Sequence, residues 1–153
     1  MALVLQKLQQ QTITPGKEVL LLSFQPIDRS SWPREPYSLH YHEAVPCFYS
    51  LTVKLDITAL RAQNAKVYPT LLYLLTALVN RHPEFRTAFS SSGELGVYDQ
   101  MHPSYTVFHP ESKTFSNLWT RWSPDYPSFL ADFNADQAQY GRCPEFFPKP
   151  GQP

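Results

Sequence analysis

Imidazole, thiolate and hydroxyl groups are the side chains that do acid–base, metal or nucleophilic chemistry near neutral pH, and the sequence is read first for their spacing. His40, His42 and Cys47 bring zinc-type donors into one loose cluster. A structural zinc site takes four ligands, usually in two paired spacings, and no second pair accompanies this cluster, so no metal site is expected. His82 and His109 each stand beside a proline at a segment end, without an obvious carboxylate partner, which reads as partly buried polar packing rather than catalysis. Ser90, Ser91 and Ser92 run into Gly93 as a turn and lack the Gly-x-Ser-x-Gly elbow that exposes a nucleophile. The five glycines form neither a Gly-x-Gly-x-x-Gly pattern nor a phosphate-cradling loop.

The elements that would position these groups alternate between strand and helix patterns. Cys47 to Asp56 alternates, with Tyr49, Leu51, Val53 and Leu55 on one face and Phe48, Ser50, Thr52 and Lys54 on the other, which predicts a strand. Asp56 and Thr58 then offer capping oxygens for a short helix through about Ala59 to Ala65. Pro69 suits the first turn of a second helix carrying Leu71, Leu74, Leu75 and Leu78 on one face, and His82-Pro83 marks its end. Glu94 to Asp99 and Tyr105 to His109 read as two strands, paired as a hairpin across Met101-His102-Pro103-Ser104. Ser123-Pro124-Asp125 starts a third helix whose stripe of Tyr126, Phe129, Leu130 and Phe133 is first a core face and second a ligand wall. By pattern alone this is a soluble α+β protein.

Composition narrows the classes further. The 153 residues, 42% of them hydrophobic, suffice for one domain, and thirteen basic against thirteen acidic residues leave no field that would draw nucleic acid or an anionic membrane. The stretch around Leu71 to Val79 is about half the ~20 residues of a spanning helix, and no secretory pattern opens the chain, so a cytoplasmic protein with no membrane segment is expected. Cys47 and Cys143 are expected to be reduced thiols. Residues 1–23, with their Thr14-Pro15-Gly16 turn, read as a loosely ordered extension, 24–149 as the domain and 150–153 as a tail.

An ordered series of short motifs carries a family resemblance. Ser31-Trp32-Pro33-Arg34-Glu35 is followed by Pro46-Cys47-Phe48-Tyr49-Ser50-Leu51-Thr52 and Leu55-Asp56-Ile57-Thr58. Tyr68-Pro69, Val79-Asn80-Arg81-His82-Pro83-Glu84-Phe85-Arg86 and His102-Pro103-Ser104-Tyr105-Thr106-Val107-Phe108-His109 continue it, then Thr114-Phe115-Ser116-Asn117-Leu118-Trp119 and Phe147-Pro148-Lys149. In order and spacing this resembles the type A, trimeric chloramphenicol acetyltransferases over about Phe24 to Lys149, the first two thirds of a family member. The resemblance implies a CoA-dependent acyltransferase fold, with a mixed β-sheet flanked by helices. It also implies acetyl transfer from acetyl-CoA, a co-substrate and not a resident cofactor, to a hydroxyl of chloramphenicol, and hence antibiotic resistance.

Residue roles follow only from that resemblance. His40, Tyr41, Val45, Tyr105, Phe129 and Phe133 fall where the family lines its acceptor pocket, and Arg34 falls where it has a structural arginine paired with a motif aspartate. The family's base lies in a His-His-x-x-x-Asp-Gly motif, and no His-His pair occurs in this sequence. The expectation is therefore a C-terminally truncated member, inactive alone. The alternatives are a non-catalytic drug-binding subunit, or one joining a homotrimer or a full-length member at a trimer interface, and a degenerate fragment of an interrupted gene. Loss of the family's later strands would also leave unpaired edges prone to self-association.

Overall fold

A computed structural model describes residues 23–48 and 50–151, so the expected extension, apart from Ser23, and Tyr49 lie outside the described residues. Strand β1 (Phe24–Pro26) leads to helix α1 (Glu35–Leu39), which runs into a π turn (His40–Ala44). Helices α2 (Thr58–Ala62) and α3 (Val67–Arg81) follow, then a 3₁₀ turn (Pro83–Arg86) and strands β2 (Thr87–Phe89) and β3 (Leu95–Tyr98). Strands β4 (Ser104–His109) and β5 (Thr114–Trp119) precede the last helix, α4 (Tyr126–Tyr140). The expected α+β class is observed, and both sheets are antiparallel, one in the order β1-β3-β2 and the other β4-β5.

Local chemistry accounts for most of the boundaries. The Asp56 carboxylate accepts from the Thr58 amide at 2.9 Å just ahead of α2, whose N-cap is Ile57 and which ends at Ala62, short of the expected Ala65. Helix α3 ends at Arg81, where His82 is already extended ahead of Pro83. At the start of α4, Asp125 accepts from the amide and hydroxyl of Ser128 at 2.9 and 2.6 Å, and Pro127 occupies the first turn, where its missing N–H costs nothing. The serine turn closes the β2–β3 hairpin: Ser90 N–H donates to Glu94 O at 2.8 Å, and Gly93 takes φ +81°.

Two strand expectations need correction. The hairpin between residues 94–99 and 105–109 does not form, because both edges of β3 are taken by β1 and β2, while β4 pairs residue for residue with β5 from Ser104↔Trp119 to His109↔Thr114. The connection is pinned away from β3 by Asn80, whose side chain donates to Met101 O at 3.0 Å and accepts from Met101 N at 2.7 Å. The strand expected over Cys47 to Asp56 is not formed by its described residues. Alternation creates two faces but no partner, and an extended segment without a ladder stays exposed: Phe48 is 91%, Leu51 77%, Val53 62% and Leu55 67% accessible.

Helix α3 likewise turns an unexpected face inward. It buries Pro69, Thr70 and Thr76, while Leu74, Leu75 and Leu78 face outward. Thr70 and Thr76 hydroxyls return to the Lys66 and Leu72 carbonyls at 2.7 and 2.8 Å, so a threonine face is buried without orphaned hydroxyls.

The core lies between the β4–β5 sheet and α4, where Tyr105, Leu118 and Phe133 pack together with Leu72, Val107 and Tyr140. A C-terminal strap closes it. Cys143 O accepts from Ser116 Oγ at 2.6 Å, Phe146 O accepts from Asn117 N at 2.7 Å, and Lys149 Nζ reaches Asp136 Oδ1 at 2.6 Å and Trp119 O at 3.0 Å. Removing one partner of a buried ion pair costs roughly 3–5 kcal/mol, whereas replacing both by apolar groups is often near neutral. Lys149→Met is therefore expected to lower unfolding stability by about 3 kcal/mol in urea titrations. The double substitution with Asp136→Asn, which removes the unpaired charge and keeps an oxygen for the Thr120 hydroxyl, should recover most of that loss; equal losses in single and double variants would show that the pair itself is not the anchor.

Candidate functional site

Aromatic side chains from α3, β4 and α4 meet in one continuous cluster. The centroid of Tyr105 is 5.2 Å from that of Phe133, Phe133 is 6.4 Å from Phe129, and Phe129 is 5.5 Å from Tyr73. Phe129 is wholly buried and Tyr105 and Phe133 are buried with it, so the three residues expected as walls back the cluster rather than line an open surface. The ring that carries the cluster to the surface is Tyr68, half exposed at the start of α3 and edge-on to both Tyr105 and Phe133 at 6.3 Å. Burial raises the pKa of the Tyr68 and Tyr105 phenols above the ordinary tyrosine range. Both phenols are neutral at pH 7 and able to donate.

Tyr105 also starts a polar chain through the core. Its hydroxyl lies 2.8 Å from Thr120 Oγ1, which donates its one proton to Asp136 Oδ2 at 2.8 Å, so the phenol is the donor to Thr120. Asp136 is held in turn by Lys149, whose ammonium sits 4.0 Å above the Trp119 ring.

The other expected site residues lie apart from this cluster. His40 and Tyr41 stand on the π turn and Val45 just after it, all exposed. Among the described residues the ring contacts of that turn are His40 with Tyr41 at 5.0 Å and His42 with Phe89 of β2 at 4.9 Å. Arg34 is exposed at the N-terminus of α1, on the lip of a hollow of about 480 Å³ walled by Ile27, Trp32, Pro83 and Val97. The structure thus brings Tyr105, Phe129 and Phe133 together and leaves His40, Tyr41 and Val45 on a separate surface. Tyr68 and the stacked pair Tyr73–Trp122, at 6.1 Å and 24°, were not singled out as wall residues. Tyr68 next to Pro69 reads as a helix start, and only its aromatic type hinted at a further use.

The imidazoles are engaged or unsupported. His109 Nε2 lies 2.7 Å from Ser116 Oγ, but that hydroxyl donates to Cys143 O, so the imidazole donates to the serine and cannot act as its base. Ser116 is also fully buried, which removes it as a nucleophile. His102 is buried against Trp119, accepts from the Trp122 amide at 3.1 Å through Nδ1, and carries its proton on Nε2. His40, His42 and His82 are exposed, and among the described residues none of the five imidazoles is within ion-pair distance of a carboxylate.

The family profile described as chloramphenicol acetyltransferase matches residues 22–153. The chain belongs to the chloramphenicol acetyltransferase family. It is 50% identical over 130 residues to a chloramphenicol acetyltransferase of Clostridium perfringens, covering 85% of this chain and 63% of that protein. The corresponding enzyme of Clostridioides difficile is also 50% identical over 130 residues, covering 85% and 61%. That of Vibrio anguillarum is 42% identical over 132 residues, covering 86% and 61%. A solved chloramphenicol acetyltransferase structure superposes with a TM-score of 0.69 at 17% identity, over 81% of this chain and 60% of the other, which supports the fold. The chain therefore spans just over three fifths of the length of these family relatives. No helix among the described residues is long and apolar enough to cross a membrane.

His102 gives this family member a pH signature. Desolvation holds its imidazole below the ordinary value of 6.5, reinforced by Arg121 and Lys149 and opposed by Asp99. The unfolded chain then binds the proton more readily, so stability is full above about pH 6.5, falls as pH drops below it, and levels off once the folded state also protonates. Replacing His102 with Gln is expected to remove this segment of the pH–stability curve in urea titrations between pH 5 and 8; an unchanged slope would assign the dependence elsewhere.

Proposed function

We propose that this chain supplies the acceptor-binding part of a chloramphenicol O-acetyltransferase and that the 153-residue polypeptide does not itself transfer acetyl groups. The carrying observation is the pairing of the half-exposed Tyr68 ring, seated edge-on over the buried Tyr105 and Phe133, with imidazoles that are either engaged in the core or exposed without an orienting carboxylate. A nitroaryl alcohol fits such a surface by stacking on flat apolar rings, with a phenol able to donate a hydrogen bond. His40, Tyr41 and Val45 are assigned to acceptor contacts on a surface separate from that cluster, and Arg34 to a structural role paired with the family's motif aspartate. Assembly into a trimer, with acetyl-CoA as co-substrate and a cytoplasmic setting, belongs to the same reading.

Acetyl transfer would form a carbon–oxygen bond between the acceptor hydroxyl and the acetyl carbonyl, break the carbon–sulfur bond of the thioester, and move the hydroxyl proton through a base to the departing thiolate. An alcohol is almost wholly protonated near neutral pH, so the step depends on a neutral imidazole aimed at it. A non-catalytic partner subunit is the second reading, favoured by the exposed Phe48, Leu51, Val53 and Leu55.

The test is thiol release from acetyl-CoA by the purified chain with and without chloramphenicol, alongside calorimetric binding of chloramphenicol. The expected result is binding without drug-dependent thiol release, and a roughly tenfold weaker Kd for Tyr68→Ala, about 1.4 kcal/mol. Drug-dependent release with an acetylated product confirmed by mass would overturn the inactivity, and unaltered binding by Tyr68→Ala would remove that ring from the wall.

A further inference from the structure

A hollow of about 660 Å³ lies between α3 and the segments that lead into β4 and α4. It shares Tyr73 with the aromatic cluster but is lined by none of Tyr68, Tyr105, Phe129 or Phe133. Tyr73, Ala77 and Arg81 stand at i, i+4 and i+8 on one face of α3, and the small Ala77 side chain between two long ones leaves the space open. Asp99 and Trp122 wall it from the facing segments. Those walls are held in place by their own bonds. The Tyr73 hydroxyl donates to Pro124 O at 2.7 Å, the Tyr73 and Trp122 rings stack at 6.1 Å and 24°, and Gln100 Nε2 donates to Trp122 O at 3.2 Å. The hollow is thus preformed, and its volume is within the roughly 300–1,000 Å³ of small-molecule sites.

We propose that this hollow binds a free aromatic α-amino acid, with its ring against Trp122 and Tyr73, its carboxylate on Arg81 and its ammonium on Asp99. The polar groups of the walls carry the assignment. Among the described residues the Arg81 guanidinium makes no hydrogen bond or ion pair, and both Arg81 and Asp99 are exposed. The Trp122 indole N–H is buried without an acceptor, an unmet donor on the ring that walls the hollow. A guanidinium suits a carboxylate through paired N–H donors, and flat rings suit an aromatic side chain. One cation and one anion in the same small space select for a guest with both charges: an aromatic acid lacking the ammonium meets Asp99 unmatched, and an aromatic amine lacking the carboxylate meets Arg81 unmatched. A neutral nitroaryl alcohol engages neither, so the hollow is not a second acceptor pocket. The site contains no residue assigned to acceptor binding and does not depend on that reading.

The test is calorimetric titration of the intact 153-residue chain with L-phenylalanine and L-tryptophan, and with two analogues that each lack one charge, phenylalaninamide and 3-phenylpropionate. Saturable one-to-one binding of at least one amino acid is expected with a Kd of about 1 mM or tighter, and binding of both analogues at least tenfold weaker than that of L-phenylalanine. Arg81→Met should erase the preference for L-phenylalanine over phenylalaninamide, and Asp99→Asn the preference over 3-phenylpropionate, each by weakening the amino acid alone. Ala77→Leu, which fills the hollow from a helix position, should abolish binding while the melting temperature of the free chain stays unchanged, which separates loss of the site from loss of the fold. The proposal is overturned by any of three results: no saturation by either amino acid at about 10 mM, equal binding of L-phenylalanine and both analogues, or full binding by folded Ala77→Leu. Displacement of the amino acid by chloramphenicol, or its loss in Tyr68→Ala, would also overturn it by placing the guest on the acceptor surface. Chloramphenicol binding is measured separately, so failure here leaves the acceptor reading standing, and failure of that reading leaves this site to be judged on its own titration.

Discussion

The Lys149 ammonium is the contact on which the C-terminal half of the fold converges. It joins Asp136 of α4 to both the carbonyl and the ring face of Trp119 at the end of β5, two residues far apart in sequence. Desolvating a lysine is unfavourable unless its charge and donors are matched, and here a carboxylate, a carbonyl and an aromatic face share that role. Asp136 in turn orders Thr120 and through it Tyr105, so the position of the strap is linked to the orientation of a phenol in the aromatic cluster. The same strap covers the free edge of β5 through the Asn117–Phe146 backbone bond, which removes an exposed edge from the β4–β5 pair.

That anchoring explains the unevenness of the molecule. From Ser104 to Lys149 a hairpin, a helix and a strap enclose Leu118, Phe129, Ser116 and Thr120 completely. From Phe24 to Ala62 the elements are short, and helix α1, the π turn and α2 bury no residue. Each fully exposed aliphatic side chain forgoes about 1.5–3 kcal/mol of available burial. The stability of the described fold is consequently concentrated in the half that holds the Tyr105 wall, and the apolar surface is concentrated in the other.

Much of this was legible in local chemistry. The Asp56 and Asp125 caps, the His82-Pro83 stop, the serine–glycine turn and the period of Phe129 and Phe133 each act within one helical turn or one hairpin, so sequence spacing carries the whole cause. Pairing was not legible in the same way. Strand character in β3 and β4 was readable from residue type, yet which strand each would join depended on Asn80 clamping Met101 from a different element, and no spacing rule encodes that contact. His40, Tyr41, Val45 and Tyr105 came from resemblance alone, while Phe129 and Phe133 also had a helical stripe behind them; only the packing separates these buried rings from surface-reaching Tyr68.

Residues 47–56 and α3 show why a correct period can still mislead. Alternation states which side chains would share a face if a ladder existed, and helical spacing states which would share a stripe; neither specifies that a partner is present. On α3 two stripes compete, one of leucines and one containing Pro69, Thr70 and Thr76. The second is the buried one because Thr70 and Tyr126 hydroxyls meet at 2.7 Å and Tyr73 donates to Pro124 O at 2.7 Å. Those bonds tie α3 to the segment that starts α4, so the leucines are turned away by the contacts that secure the aromatic wall. The same orientation that ties the aromatic cluster to α4 therefore presents a leucine stripe outward.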